Sequence, residues 1–307
     1  EGLKILREGA AEIESTTLSH KNIWNIKEDF GSFIEDIKDD IIKNGTQRGY
    51  SLGFREIDLF TGGLKPGRLG FFAARPKRQK TMLMIKSFIE QIKQGHHPVF
   101  FTLELLDKEI LLRMMCFVTG FPWDKAERGN IVRDEWKMIE EGWSEFSSNI
   151  QGSPMIVMPK PGERSVPQMV MMADKLNADS IFISQLKQIE SIRYYKNTFD
   201  KYNEIVTDLK SASTRSGSER PILVEAQFNR TAQSLKEMGE MDLAQLGLTD
   251  AIGQTSDVVF GVVQNQEDHQ NQLFQFGIIE ARNHGKQGWV FQYEYQTKTE
   301  IRCIGIQ

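Results

Sequence analysis

Along most of the chain, short apolar runs alternate with longer stretches in which apolar residues recur at helical spacing. The runs Leu69–Ala73, Val99–Thr102, Met155–Val157, Ser180–Ile183 and Ile222–Glu225 read as strands. The stretches Met82–Lys93, Ile110–Val118, Arg133–Phe146, Val166–Leu176 and Tyr202–Ala212 read as helices. Strand and helix in alternation predict a parallel sheet covered by helices on both faces. After Asp257 the pattern changes. Val258–Val263, Phe274–Ile279, Trp289–Tyr295 and Ile301–Ile304 follow one another with short turns, as in an antiparallel extension. Polar stretches at 211–220 and 264–272 read as loops.

The first 48 residues form a separate pattern. Leu3, Leu6, Ala10 and Ile13 fall on one helical face. A second helix starts at Ser32, whose spacing to Glu35 makes a capping box, and stops at Asn44-Gly45. Its stripe of Phe33, Ile37 and Ile41 needs a surface, either on its own domain or on a neighbouring subunit. The expected organisation is a helical linker over 1–48 and an α/β domain over 49–307.

Composition narrows the field. No apolar run approaches the roughly 18 residues of a membrane span. Two cysteines, Cys116 and Cys303, exclude a disulfide scaffold and a cysteine-rich zinc site. A net charge of −4 argues against a surface coated for nonspecific duplex binding, but leaves room for a local basic lining along a single strand. The five histidines are scattered without metal-ligand spacing, and the run Met169-Val170-Met171-Met172 reads as helix core. The sequence opens on Glu1 without a visible signal peptide, which leaves open what precedes it.

The chemistry concentrates at residues 73–81, Ala-Ala-Arg-Pro-Lys-Arg-Gln-Lys-Thr. A strand leads in and a helix leads out. Lys80 and Thr81 are the Lys-[Ser/Thr] pair of a phosphate-binding loop, in which backbone N–H groups cradle phosphate and the hydroxyl ligates Mg2+. Arg75, Pro76, Lys77, Arg78 and Gln79 fill the loop. Small residues ordinarily stand where Lys77 and Gln79 stand. A left-handed conformation at position 79 would cost a non-glycine residue about 1–2 kcal/mol. The added charge of Lys77 and Arg78 opposes that loss.

Several blocks in order resemble the motor domain of DnaB-type replicative helicases, ring-forming RecA-like ATPases. They are Gly53-Phe54 with Ile57-Asp58, Thr61-Gly62-Gly63-Leu64 with Gly67, Ala73-Ala74-Arg75-Pro76, Phe101-Thr102-Leu103-Glu104-Leu105, Gln227-Phe228-Asn229-Arg230, Asp250-Ala251-Ile252-Gly253-Gln254 and Glu280-Ala281-Arg282-Asn283. The resemblance spans about residues 50–300 and extends to phage-encoded members. It implies a RecA-like P-loop fold, ATP and Mg2+ as ligands, and ATP-driven translocation on single-stranded DNA. It also implies a hexameric ring joined through the linker helix, a primase or loader as partner, and a cytoplasmic setting in a bacterial or phage-infected cell. Residue by residue, it implies Glu104 as the base that activates water and Gln227 as the γ-phosphate sensor. Arg282 would be the arginine finger offered to a neighbouring subunit, and Thr81 and Ser184 the Mg2+ positions. The alternative for Glu104 is a solvent-facing charge at a helix start, and without the resemblance Arg282 reads as a solvated turn residue.

Two segments match the family's channel-facing loops. Lys187–Lys201 carries Arg193, Lys196 and Lys201 among tyrosines, a mixture suited to a single strand, although an exposed helix start reads the same way. Residues 229–248 carry Arg230 and Lys236, beside enough acid to weaken a polyanion site.

Other departures touch the metal and phosphate positions. Ser184 stands where the resemblance implies an aspartate, and Glu280 where it implies a lysine. A charge facing a phosphate at about 4 Å is worth roughly 4 kcal/mol at an effective dielectric near 20, so reversing its sign matters. Glu225 adds a further acid before Gln227. These departures support an alternative: a pseudo-ATPase that keeps the fold as a ring-forming or partner-binding scaffold.

Overall fold

The computed structural model describes residues 49–76, 78, 80–227 and 250–306, together with positions 31, 34, 35, 37–39 and 42. The chain divides into two compact units, 1–48 and 49–307. In the first, the described positions are helical. The expected helix at 3–14, and the capping and stop residues Ser32, Asn44 and Gly45 of the next, lie outside the described residues.

The second unit is built on one nine-stranded sheet. Its strands are β1 (Leu69–Ala74), β2 (Pro98–Thr102), β3 (Met155–Val157), β4 (Ser180–Ser184), β5 (Ile222–Gln227), β6 (Val258–Val263), β7 (Leu273–Ala281), β8 (Gln287–Glu294) and β9 (Glu300–Ile306). They lie in the order β3-β2-β4-β5-β1-β6-β7-β8-β9. Every pair from β3 to β6 is parallel, and β6 to β9 pair antiparallel. The mainly parallel sheet with an antiparallel C-terminal part matches the expectation from the apolar pattern.

Alternation along the parallel strands makes two cores. Phe72, Phe100, Phe182, Leu223 and Phe260 face α2 (Lys80–Lys93) and bury its Leu83, Met84, Phe88 and Ile92. The Phe88 ring meets Phe100 and Phe182 edge-on, with centroids 5.6 and 5.5 Å away. Each such buried ring contributes about 1.5–3 kcal/mol of transfer free energy. Phe71, Val99, Phe101, Ile181 and Val224 face the other way. They pack against Met169 and Ala173 of α6 (Val166–Lys175) and Ile205 and Leu209 of α7 (Thr198–Ser213). Side chains cap both helices. Ser165 and Gln168 close the start of α6, and Asn197 Oδ1 accepts the Phe199 N–H at the start of α7, 2.9 Å away.

The remaining helices are α1 (Arg55–Thr61), α3 (Asp107–Thr119), α4 (Trp123–Glu127), α5 (Arg133–Ser148), α8 (Asp250–Thr255) and α9 (Gln266–Gln270). The stretch 264–272 expected as loop contains α9. Its cause is local: Asn265 Oδ1 accepts the Asp268 N–H at 2.7 Å and Asp268 Oδ2 accepts the Asn265 N–H at 3.1 Å. Helix α7 likewise runs on to Ser213, into the stretch expected as loop. Before β1, two left-handed glycines, Gly62 (φ 72) and Gly63 (φ 76), end α1 and turn the chain so that Leu64 bridges Tyr50. A Cβ at Gly63 would lie 2.7 Å from the Tyr50 carbonyl oxygen, so only glycine fits.

Asp257 ties the N-terminal edge of the parallel strands together. Its carboxylate accepts from Arg68 at 2.7 Å, from Lys210 at 2.7 Å and from the Leu69 N–H at 2.8 Å, and it is 5% exposed. Burial alone would raise its pKa. The hydrogen bonds from Lys210, Leu69 and Arg68 outweigh that and hold it below the usual carboxylate value. Its stabilisation is therefore present above the unfolded carboxylate pKa and lost as pH falls through the folded one. Asp257→Asn is expected to lower unfolding stability at pH 7 by about 2–3 kcal/mol. In denaturant titrations, the gap from wild type should close as pH drops below about 4.

Candidate functional site

Parallel strands end on one edge, and ligands of such sheets bind in the crevice outside those ends. Here β1 ends at Ala74, the chain turns through Arg75 and Pro76, and α2 begins at Lys80. Lys77 and Gln79 lie outside the described residues. A cavity of about 560 Å³ opens at this edge, within the range of small-ligand sites. Pro76, Arg78, Lys80, Thr81, Glu104 and Gln227 line it.

Lys80 opens the helix yet is only 8% exposed. Burial lowers its pKa, and the charges of Glu225 and Glu104 oppose that shift. Glu225 comes from β5, on the face that α2 covers, and is fully buried. Burial pushes its carboxyl up to about 7. Lys80 and the Thr81 hydroxyl draw it back, while Glu104 pushes further. Thr81 Oγ1 lies 3.4 Å from Glu225 Oε2, in donating position. Glu225 Oε1 and the Ser184 hydroxyl at the end of β4 are also buried, and neither has a hydrogen-bond partner among the described residues.

Glu104 stands two residues past β2. Thr102 Oγ1 donates to the Leu105 carbonyl at 2.6 Å and closes the turn that carries it. Its carboxylate faces the cleft and accepts a short hydrogen bond from Gln185 Nε2. Gln227 ends β5 in register with Ala74 and accepts from Lys187 Nζ at 3.3 Å. Arg78 donates to Gln264 at 3.2 Å, and burial, with Arg75 nearby, lowers its pKa.

The structure thus brings Pro76, Arg78, Lys80, Thr81, Glu104 and Gln227 around one cavity. Arg282 lies elsewhere. It follows β7, which runs antiparallel to β6, and its guanidinium folds onto the Ser256 carbonyl at 3.2 Å and near Asp257 at 3.7 Å. That is the N-terminal edge of the parallel strands, away from Lys80. Glu280 is exposed toward the same end of β7, in register with Val259, and does not line the cavity. Arg193, Lys196 and Lys201 sit on an exposed stretch running from the β4 edge into α7. There Arg193 lies 3.7 Å from Glu204, and Lys201 lies over the Tyr202 ring. Arg230 and Lys236 lie outside the described residues.

Three polar cavity residues escaped the sequence reading: Gln185, Glu127 and Arg113. Gln185 could have been found, since it directly follows the strand-end Ser184. Glu127 and Arg113 could not, because helix packing alone brings them in. The Arg113 guanidinium stacks 4.6 Å over the Trp123 ring and donates to the Glu109 carbonyl at 3.0 Å.

The strand order and the cleft at the strand ends define a RecA-like P-loop fold. Residues 49–300 match the DnaB-like helicase C terminal domain, and the chain belongs to that family. It is 24% identical over 259 residues to the replicative DNA helicase DnaB of Helicobacter pylori (strain ATCC 700392 / 26695), covering 82% of this chain and 51% of that protein. Against the DnaB of Mycoplasma genitalium it is 26% identical over 251 residues, covering 76% and 52%. The chain spans about half the length of the curated relatives it matches. Among solved structures, an isolated ATPase domain superposes with a TM-score of 0.76 at 18% identity, covering 91% of this chain and all of that one. A DnaB-like replicative helicase, solved with attention to its interactions with primase, gives a TM-score of 0.75 at 18% identity and covers 95% and 75%.

Arg113→Ala is expected to remove the stack on Trp123 and lower stability by about 1 kcal/mol in a denaturant titration. Arg113→Lys should recover only part of it, because an ammonium cannot reproduce the planar stack.

Proposed function

We propose that this chain is the motor domain of a replicative DNA helicase that binds ATP in the cleft and uses its hydrolysis to move along single-stranded DNA. The observation that carries this reading is the cavity at the parallel strand ends, where Lys80 and Thr81 open α2 and face Glu104 and Gln227. Lys80 is held in a nearly dry position, where its charge acts on a phosphate with little screening by water. The Lys80 ammonium offsets phosphate charge, and backbone N–H groups at the start of α2 point toward the same anion.

Glu104 is oriented by Gln185 and is the base that takes a proton from the attacking water. Gln227 stands at the mouth of the cleft, and its hydrogen bond to Lys187 ties the nucleotide side to the stretch carrying Arg193, Lys196 and Lys201. That stretch, with Arg230 and Lys236, is assigned to the DNA backbone. Magnesium fits the donor set of the Thr81 hydroxyl beside buried oxygens of Glu225 and Ser184 that have no described partner. When bound, it neutralises charge on the transferring phosphate.

Arg282 lies at the far edge of the sheet from Lys80, so in this reading any nucleotide it contacts belongs to a neighbouring subunit. A head-to-tail ring of six chains supplies that arrangement, joined through the linker helix. A primase-type partner is carried over from the solved helicase described with primase, and a loader from the family resemblance. The cytoplasmic setting is carried over from the family resemblance. Among the described residues no helix is long and apolar enough to cross a membrane.

The test is ATP hydrolysis by the purified chain with and without single-stranded DNA. Turnover stimulated by DNA is expected, falling about 10²–10⁴-fold in Glu104→Gln. Lys80→Ala should abolish nucleotide binding. Turnover indifferent to Glu104→Gln would overturn the assignment of the base. Binding without turnover in the wild type would leave a nucleotide-holding scaffold instead of a motor.

A further inference from the structure

The carboxylate that a P-loop needs beside its Mg2+ is missing from β4, where Ser184 stands, and present on the next strand. In the parallel β4–β5 pair, Ile183 is in register with Val224, so Ser184 and Glu225 are the next neighbours along the ladder. Ile183 and Val224 belong to the core under α6 and α7. By alternation, Ser184 and Glu225 project to the opposite face, where α2 begins. Glu225 is the single acidic residue in β1, β4 and β5. Neighbouring strands lie about 4.8 Å apart, a step that a glutamate spans better than an aspartate because it has one more methylene.

We propose that Glu225 supplies the acidic contact to the hydration shell of a nucleotide-bound Mg2+, a contact relocated from β4 to β5, with Ser184 as its neutral companion. This rests on the reading of the cleft as an ATP site. Three observations carry it. Thr81 Oγ1, the hydroxyl at the metal position, lies 3.4 Å from Glu225 Oε2. Glu225 lines the cavity and is 1% exposed, and its second oxygen, Oε1, has no described partner. The Ser184 hydroxyl beside it is also buried without a described partner. Mg2+ sheds its water reluctantly and is commonly held through that water by carboxylates. A serine hydroxyl can hydrogen-bond such a water but brings no charge. Glu225 brings the charge, and its second oxygen can accept a hydrogen bond without breaking one.

The test uses the full chain, a non-hydrolysable ATP analogue and Mn2+ as the magnetic substitute, with free Mn2+ read by electron paramagnetic resonance. Wild type saturated with the analogue is expected to hold Mn2+. Glu225→Gln, nearly equal in volume, should weaken Mn2+ by roughly tenfold or more, the usual effect of losing an outer-shell partner. In EDTA the variant should bind the analogue no more weakly than wild type, because it removes an anion that competes for Lys80. The double variant Glu225→Gln with Ser184→Asp returns a carboxylate to β4 and should recover Mn2+. Mn2+ held as tightly in Glu225→Gln as in wild type would overturn the proposal. So would a loss that Ser184→Asp does not repair, which would assign the effect to packing. Wild type that binds no analogue in EDTA or in Mn2+ would overturn the ATP-site reading, and this inference with it.

Discussion

Side-chain alternation on five neighbouring parallel strands governs this molecule. One parity buries aromatic rings under α2 and the other buries aliphatics under α6 and α7. Because the strands run the same way, their last residues reach a single edge, and the chemistry gathers there. Lys80, Glu104, Gln185, Glu225 and Gln227 come from four separate parts of the sequence. A slip of one residue between β4 and β5 would send Glu225 into the aliphatic core and Val224 into the cleft. Sheet register and site composition are one constraint.

Within that frame the cleft is a small electrostatic balance. Lys80 and Glu225 are each taken from water, and each opposes the other's loss of charge. A phosphate arriving at Lys80 would compete with Glu225 for the same ammonium, and a divalent cation would relieve the competition by engaging the carboxylate. On the proposed reading, the cleft would suit a metal–nucleotide pair better than either alone. At the opposite edge, Asp257 plays the reverse part. It is an anion with several cationic and backbone donors, and it fixes β1 and β6.

Much of this was legible in the chain. The apolar runs mark the strands within a residue or two, and Lys80-Thr81 after an apolar strand marks the loop. Arg282 lies at the far edge because a strand reversed against β6 ends where β6 begins. What stayed hidden depends on distance in sequence. Glu225 stood out as an extra acid, but its approach to Thr81 links positions 144 residues apart and follows from pairing, not spacing. Arg113 and Glu127 enter the cavity through the packing of α3 and α4, which no local pattern encodes. Helix α9 was missed for the opposite reason: a four-residue cap from Asn265 to Asp268 outweighs a polar, loop-like composition.

The separation of Arg282 from Lys80 across the sheet has a consequence for assembly. If Glu104 is the base and Arg282 the charge donor, as proposed, their opposite edges mean that one chain could not complete a site alone, however well each half is formed. Every interface in the proposed ring would then be a joint possession of two chains, and a defective subunit would silence its neighbour's pocket as well as its own. Mixed rings would show a dose response steeper than the fraction of damaged chains.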